Sequence, residues 1–436
     1  MISGSRTGAL TLSTAKLLEA SIARSRTSAS ILEAVSVLQA SFSSSTFLRL
    51  VKYSRCLYPT RLWRPFDLLN TLFASSFISR IGIFHPLLIF PLVYLAFVAV
   101  SNHAPSPLAL LSILIGIGSF ALGYHLSGPF APRRLRLEDR TLGIGIAFLA
   151  LGTVALLYDL FQPGSIPLLE PIARRRLNVT FTMLSTLIVP GGILIIAAVG
   201  DRLKEGRLSR EEARMYSITA MLVTTFLVSL LGYRTQVIVS LLGCSIAMYY
   251  KKVLGAAEIV LTFLVAVSAI ASLGYYRSLK EGSSLGPLGV IGGRTALTLS
   301  VYDYLISRFW LFGVNHGSVA LATFSSFFPF IPGSRLGPRT IVANIFGISG
   351  VSVTSTLFGT VVLDFGIPGI IAFALALGFV VGLAYRTMRA GSNLGTGIFS
   401  LFMAYTLVGI ETGLVDFNVF TFFFLGTIIL LASRGS

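Results

Sequence analysis

"GIPGIIAFALALGFVVGLAY", residues 366–385, holds no charged side chain in twenty consecutive positions. An α-helix rises 1.5 Å per residue, so a run of about 20 apolar residues crosses the hydrocarbon layer of a bilayer. The helix of a soluble domain needs one apolar stripe, whereas this one is apolar all round. Similar runs recur along the chain. The spacing predicts spans at Ile81–Val100, Pro107–Ser127, Thr141–Phe161, Val179–Gly200, Tyr216–Gly232, Gln236–Tyr250, Leu254–Leu273, Gly366–Tyr385, Gly395–Leu414 and Asn418–Ser433. The apolar stretch Thr295–Pro332 adds a hairpin pair or re-entrant helices. Lipid offers the backbone no hydrogen-bond partner, so the expected fold class is an all-α integral membrane protein of about 10–12 transmembrane helices.

Composition agrees. With 54% hydrophobic and 12% charged residues and a mean hydropathy of +0.83, the chain is no ordinary soluble domain. Its 42 glycines and 33 phenylalanines suit close helix packing and lipid contact. A net charge of +17 would point to nucleic acid in a soluble protein. Here it reports orientation instead, and no nucleic-acid partner is expected. Cys56 and Cys244 make neither a disulfide framework nor a metal pattern, and no signal peptide opens the chain.

Four segments are expected. Residues 1–80 carry helically spaced apolar positions (Leu10, Leu17, Leu18 and Ile22; Ile31, Val35 and Leu38) that are too sparse to span, which suggests amphipathic helices on the cytoplasmic membrane surface. Residues 81–274 form a first bundle with an outer loop at 163–178, residues 275–365 a long outer segment, and residues 366–436 the C-terminal spans. The basic loops set the orientation. Arg133, Arg134, Arg136 and Arg140 fill one, and Arg202, Lys204, Arg207, Arg210 and Arg214 another. Lys251, Lys252, Arg386, Arg389 and Arg434 fall on the same side as the N-terminus. The positive-inside rule makes that side cytoplasmic and puts both termini there.

The exceptions carry the functional signal. Arg174, Arg175, Arg176, Arg234, Arg277, Lys280, Arg294, Arg308, Arg335 and Arg339 fall on the outer side, nine of the ten being arginine. The outer acids in these regions are Glu170, Glu281, Asp303 and Asp364. An arginine-rich outer cavity that its own carboxylates cannot neutralise is therefore expected, and it calls for an anionic guest. A guanidinium stays charged and offers a planar fork of donors matched to phosphate. A single arginine at a helix end simply snorkels to the interface. The set as a whole, gathered against the charge rule, points to a lipid phosphate or pyrophosphate.

Three stretches place candidates. "LLGYRTQVIVSLLG" (230–243) sets Arg234 at a helix end. "GSIPLLEPIARRRLN" (164–178) is kept out of regular helix by glycine and two prolines, and brings Glu170, Arg174, Arg175 and Arg176 to the outer mouth. "STLFGTVVLDFGIPG" (355–369) places Asp364 before a span, where it caps a helix or orients an arginine. Between the last two lie Arg294, Tyr302, Asp303, Arg308 and His316. His316 is either a base or a hydrogen-bonded structural residue, while His85, His103 and His125 read as incidental. The tyrosines Tyr275, Tyr276, Tyr302 and Tyr304 suit stacking on sugar rings or simple interfacial anchoring. No phosphate-binding loop, HExxH, GxSxG or Cys/His metal pair is present.

The order of these pieces resembles the O-antigen polymerase (Wzy-like) family of oligosaccharide repeat-unit polymerases. The matching parts are Gly164–Leu169 with Arg174–Arg176, Gly232–Arg234, and Gly359–Gly369 with Asp364, within a likeness running from about Thr141 to Tyr385. The resemblance implies a GT-C-like architecture. It also implies transfer of a glycan from a polyprenyl pyrophosphate carrier to the terminal sugar of another lipid-linked unit, on the outer face, with no cofactor, sugar nucleotide or metal. Arg234 and Arg339 would clamp the pyrophosphate, with Arg176, Arg277 and Arg294 close by. The base would come from Asp303, His316, Asp364 or Glu170, and Arg174, Arg175, Arg308, Arg335 and Tyr302 would bind substrate. Membrane lipids, a chain-length regulator and a flippase are the further candidate partners. Two other readings stay open: an O-antigen-ligase-like glycosyltransferase, and a transporter or flippase of the same lipid-linked sugars. A flippase needs charge along a path to both sides, and no inverted repeat of broken helices is visible.

Overall fold

A computed structural model describes residues 82–130, 135, 140–162, 166–168, 170–264, 268, 287–328, 330–348 and 352–432. The chain divides into two compact units, residues 1–64 and 65–436, and every described residue belongs to the second. The amphipathic helices expected over 1–80, and residues 265–267 and 269–273 of the span expected at Leu254–Leu273, lie outside the described residues.

All regular structure among the described residues is helical. The helices are α1 (Pro86–Val100), α2 (Pro107–Leu126), α3 (Thr141–Phe161), α4 (Val179–Ser185), α5 (Ile188–Lys204), α6 (Arg210–Ser229) and α7 (Arg234–Tyr250). They continue with α8 (Pro287–Phe309), α9 (Ser318–Ser325), α10 (Pro338–Ile345), α11 (Gly359–Arg389), α12 (Asn393–Thr412) and α13 (Phe417–Ala432). Among the described residues, five stretches are long and apolar enough to cross a membrane: α2, α3, α4 with α5, α11 and α12, while α1 and α13 are shorter apolar helices. In the stretch where a hairpin pair or re-entrant helices were expected, 295–332, the chain forms the end of the 23-residue helix α8 and then the short α9. The span predicted from Val179 is broken at Thr186–Leu187 into α4 and α5.

Local chemistry explains the starts. Ser106 caps α2 by accepting from the Ala109 N–H, with Pro107 at the first position, where a missing N–H costs nothing. Ser209 and Glu212 form a reciprocal capping box at α6, whose first turn also carries Glu211 against the helix dipole. Ser392 caps α12 through the Gly395 N–H.

α12 is the central helix, buried along its whole apolar window. It packs on α1, α5, α7, α11 and α13. Outer helices carry the exposed apolar belt, including Leu92 and Leu95 on α1, Leu111 and Leu122 on α2, Val154 on α3 and Phe226 on α6. In water such a belt would be a liability, whereas against lipid it is the required surface. One buried ion pair, Arg214 to Glu258 at 2.8 Å, ties α6 to the chain after α7, and Gly255 N–H completes the carboxylate.

The most extensive helix pair is α2 against α11. Glycines let these backbones touch. A Cβ on Gly123 would lie 2.0 Å from the Leu375 carbonyl oxygen, and one on Gly378 would lie 2.0 Å from that of Phe120. Lipid tails are as apolar as leucine, so such association depends on van der Waals packing, which small residues permit. Gly118 on the same helix α2 has open space around it. Gly123→Val is therefore expected to abolish the monodisperse gel-filtration peak of the detergent-purified protein, while Gly118→Val preserves it. Equal behaviour of the two variants would refute the close-contact account.

Candidate active site

The functional candidates gather at one end of the bundle, where α3, α6, α8 and α12 finish and α7, α11 and α13 begin. α11 supplies the anchor. At Gly366 the helix breaks, with φ 64° and ψ −150°, a conformation almost confined to glycine. Pro368 has no N–H, so the Asp364 carbonyl loses its intrahelical donor. The loop after α8 replaces what the break removes. Val314 and Asn315 N–H donate to the Leu363 carbonyl at 3.0 and 3.2 Å, and His316 N–H to the Asp364 carbonyl at 3.2 Å. Ile367 N–H turns to the Trp310 carbonyl at 2.8 Å.

The Asp364 side chain faces α9. Its two oxygens accept from Val319 N–H at 3.0 Å and Ala320 N–H at 2.8 Å. The α9 N-cap is Gly317, which has no side chain to do this. Asp364 is thus a cap supplied from another helix, placed against a positive helix end. It orients α9 rather than an arginine. His316 takes part through its backbone, at φ 46°, and its side chain is exposed.

A second assembly lies where α7 begins. Gly232, at φ +72°, lets the turn between α6 and α7 press against the 3-10 helix Pro171–Arg176, since a Cβ there would meet the Pro167 carbonyl oxygen at 2.9 Å and Arg174 Nε at 3.4 Å. The next residue, Tyr233, sits within electrostatic reach of Arg174, Asp159 and Asp416. The packing around its hydroxyl raises its pKa above the ordinary phenol range, and the Arg174 guanidinium pulls it back. Arg234 opens α7, half-buried. Arg339, on α10, pairs with Asp416 at 2.7 Å. Gln236, two residues further along α7, accepts from the Tyr405 hydroxyl of α12 at 2.9 Å. Arg174 Nε and Arg339 Nε are both buried and, among the described residues, have no hydrogen-bond partner. The Asp159 carboxylate holds the start of α4, through Asn178 N–H at 2.8 Å and the Thr182 hydroxyl at 2.5 Å.

The other candidates are spread around this assembly. Arg294 pairs with Glu411. With the Arg339–Asp416 pair, this adds two carboxylates to the outer acids: Glu411 at the end of α12 and Asp416 in the turn before α13, each too far away in sequence from its arginine for spacing to pair them. Asp303 receives both groups of Ser106 and stands 3.1 Å from His103 Nε2, so His103 is not incidental. Tyr302 is fully buried, its hydroxyl 2.6 Å from that of Ser112, which places it in the α2–α8 core with no ring face open for stacking. Arg308 lies over the Tyr304 ring at 4.5 Å. Arg335 closes the end of α9 through the Ser325 and Phe328 carbonyls. Glu170 and Arg176 are exposed on either end of the 3-10 helix. Arg277, Lys280, Glu281, Tyr275 and Tyr276, and the Arg175 side chain, lie outside the described residues. His85 lies at the opposite end of the bundle, against Tyr124 and Tyr385. Sequence reasoning missed Asp416, Tyr233 and Asp159; only the "GYR" turn pointed toward any of them.

Comparison with known proteins bears on the whole chain. Residues 82–423 match the family described as "Putative O-antigen polymerase". An uncharacterized protein of Methanocaldococcus jannaschii is 30% identical over 357 residues, which cover 81% of this chain and 95% of that protein.

Removing the trans cap should loosen the site without unfolding the bundle. Asp364→Ala strands two N–H groups, and the thermal midpoint in detergent should fall by the equivalent of about 1–3 kcal/mol, with membrane insertion retained. An unchanged midpoint would show that α9 does not depend on this carboxylate.

Proposed function

The chain belongs to the O-antigen polymerase family, and from that premise we propose that the cluster of Arg174, Arg234 and Arg339 holds the pyrophosphate of a polyprenyl-linked oligosaccharide during chain transfer. Membership makes the protein a membrane-embedded enzyme of polysaccharide biosynthesis that acts on lipid-linked oligosaccharide. The finer reading rests on one observation: two arginine nitrogens, Arg174 Nε and Arg339 Nε, are buried without a hydrogen-bond partner among the described residues. Such donors are costly to leave unmet, and a pyrophosphate has the oxygens to meet them.

In the proposed step, an acceptor sugar hydroxyl attacks the anomeric carbon of the donor glycan. The bond from that carbon to the pyrophosphate oxygen breaks, and the pyrophosphate leaves with the electron pair. Negative charge grows on the leaving oxygen, where fixed arginines in a low-dielectric setting stabilise it without a metal. The carboxylate of Glu170, exposed at the head of the 3-10 helix that carries Arg174, receives the hydroxyl proton. Asp416 holds Arg339 in place and keeps the empty site from carrying the whole arginine charge. We place this site on the outer face of the cytoplasmic membrane, following the distribution of basic loops.

The test is product length. Purified protein is reconstituted with lipid-linked oligosaccharide and a chelator, without nucleotide sugar. A ladder of multiples is expected. Arg174→Gln should reduce elongation by about 10²–10³-fold, the typical cost of one oxyanion donor. Arg174 gives a cleaner test than Arg339, because its loss strands no paired carboxylate. Arg339→Lys should recover only part of the wild-type rate, since an ammonium lacks the planar fork. A normal ladder from Arg174→Gln would overturn the clamp, and one shifted band that needs a separate acceptor would make the enzyme a ligase.

Glu170→Gln should slow elongation by about 10²-fold or more while leaving substrate binding intact. Full elongation in that variant would leave the proton to water.

A further inference from the structure

The break in α11 does more than anchor α9. Beyond it, α11 stands off from α9 and from the start of α13, and the space between is a groove of about 580 Å³. Pro368 and Gly369, the residues that follow the break, line it. Its walls are Ala320 and Phe324 of α9, Phe365, Ala372 and Phe373 of α11, and Val415. Of the polar groups that line it, Thr323 donates to the Val415 carbonyl at 2.9 Å and Asp364 is held by the α9 backbone, while the buried Thr360 hydroxyl has no partner among the described residues. With one hydroxyl in an otherwise apolar lining, the groove suits a hydrocarbon better than a sugar.

Two observations choose its occupant. The groove ends at Val415, and the next residue is Asp416, the carboxylate that holds Arg339. It thus ends one residue along the chain from the carboxylate that pairs with Arg339. It also opens sideways, where Phe365 is 45% exposed and Phe420 44% exposed, like the apolar belt of the outer helices. A ligand with an anionic head and a long hydrocarbon tail would fill both places at once. We propose that this groove seats the first part of the polyprenyl chain of the substrate; the inference rests on the reading of the arginine cluster as a pyrophosphate site.

The physics defines what the groove contributes. Bilayer lipid is as apolar as the groove, so leaving lipid for it gains little from the hydrophobic effect. Selection comes from shape and from the tethered head group. Its use is positional: a chain lying in the groove fixes the direction from which the pyrophosphate meets the arginines. Small shifts in such geometry are expensive in rate.

The experiment labels the groove directly. A polyprenyl pyrophosphate carrying a diazirine near the head end of its chain, with no sugar attached, is photolysed with the full-length protein in phosphatidylglycerol nanodiscs. Labelled peptides are mapped by mass spectrometry. Label is expected within residues 318–325 and 359–373, and unlabelled polyprenyl pyrophosphate should compete for it. Filling the groove with Ala372→Trp, or independently with Ala320→Phe, should cut labelling about tenfold, equivalent to ~1.4 kcal/mol. Val154→Trp, on the exposed face of α3, should not. The proposal is overturned if label spreads evenly over the lipid-facing helices, if both groove variants label like wild type, or if added phosphatidylglycerol competes equally well. Labelling needs no turnover. A labelled groove in a protein that makes no ladder would remove the proposed reaction and keep the groove, whereas a ladder with an unlabelled groove would do the reverse.

Discussion

The break at Gly366 is the constraint on which the active end of the molecule depends. A helix interrupted within a membrane protein must satisfy the groups that the interruption frees, because lipid cannot. Here the loop after α8 lays its N–H groups on the Leu363 and Asp364 carbonyls, and Ile367 returns a donor to Trp310. The Asp364 side chain then caps α9. One local feature thus joins α8, α9 and α11, and leaves the space that becomes the groove. Asp364, Gly366 and Pro368 act together. Glycine permits the turn, proline leaves a carbonyl unpaired, and aspartate uses the new geometry to hold a neighbouring helix.

The arginine assembly follows a different logic. It is built by the ends of elements far apart in the chain: the 3-10 helix before α4, the turn into α7, the short α10 and the turn before α13. A guanidinium placed there without any carboxylate would be costly when the site is empty. Asp416 offsets this for Arg339 while leaving its Nε unmet. The Arg174 Nε is likewise without a hydrogen-bond partner among the described residues.

Behind both sites stands a bundle whose most extensive helix contact, α2 against α11, is made possible by glycine. α11 carries the break at one end and the glycine contact along its length. Anything that shifts its packing on α2 also shifts the groove, the α9 cap and the turn that faces Arg339. In such a molecule stability and catalysis share elements, and residues far from the reacting atoms set the geometry.

The sequence by itself determined the fold class, because the length of an apolar run is a local property that the bilayer reads directly. The residues 366–385 alone required a spanning helix. Arginine in excess at one set of helix ends was legible too, since that charge is written in the sequence. The resemblance to polymerases was also legible, carried by short motifs in a fixed order. Tertiary structure decided the rest. Tyr302 reads as a sugar platform but is core, because burial depends on which face of α8 meets α2. Asp303 holds Ser106, the cap of α2, and Asp364 caps α9 rather than its own helix; neither partner could be read from spacing, because they lie about 200 and 45 residues away in sequence. Asp416 escaped notice for the same reason: its role exists only where α10 and the α12–α13 turn meet. Pairing of charges across long sequence separations is set by packing, and no spacing rule along the chain encodes it.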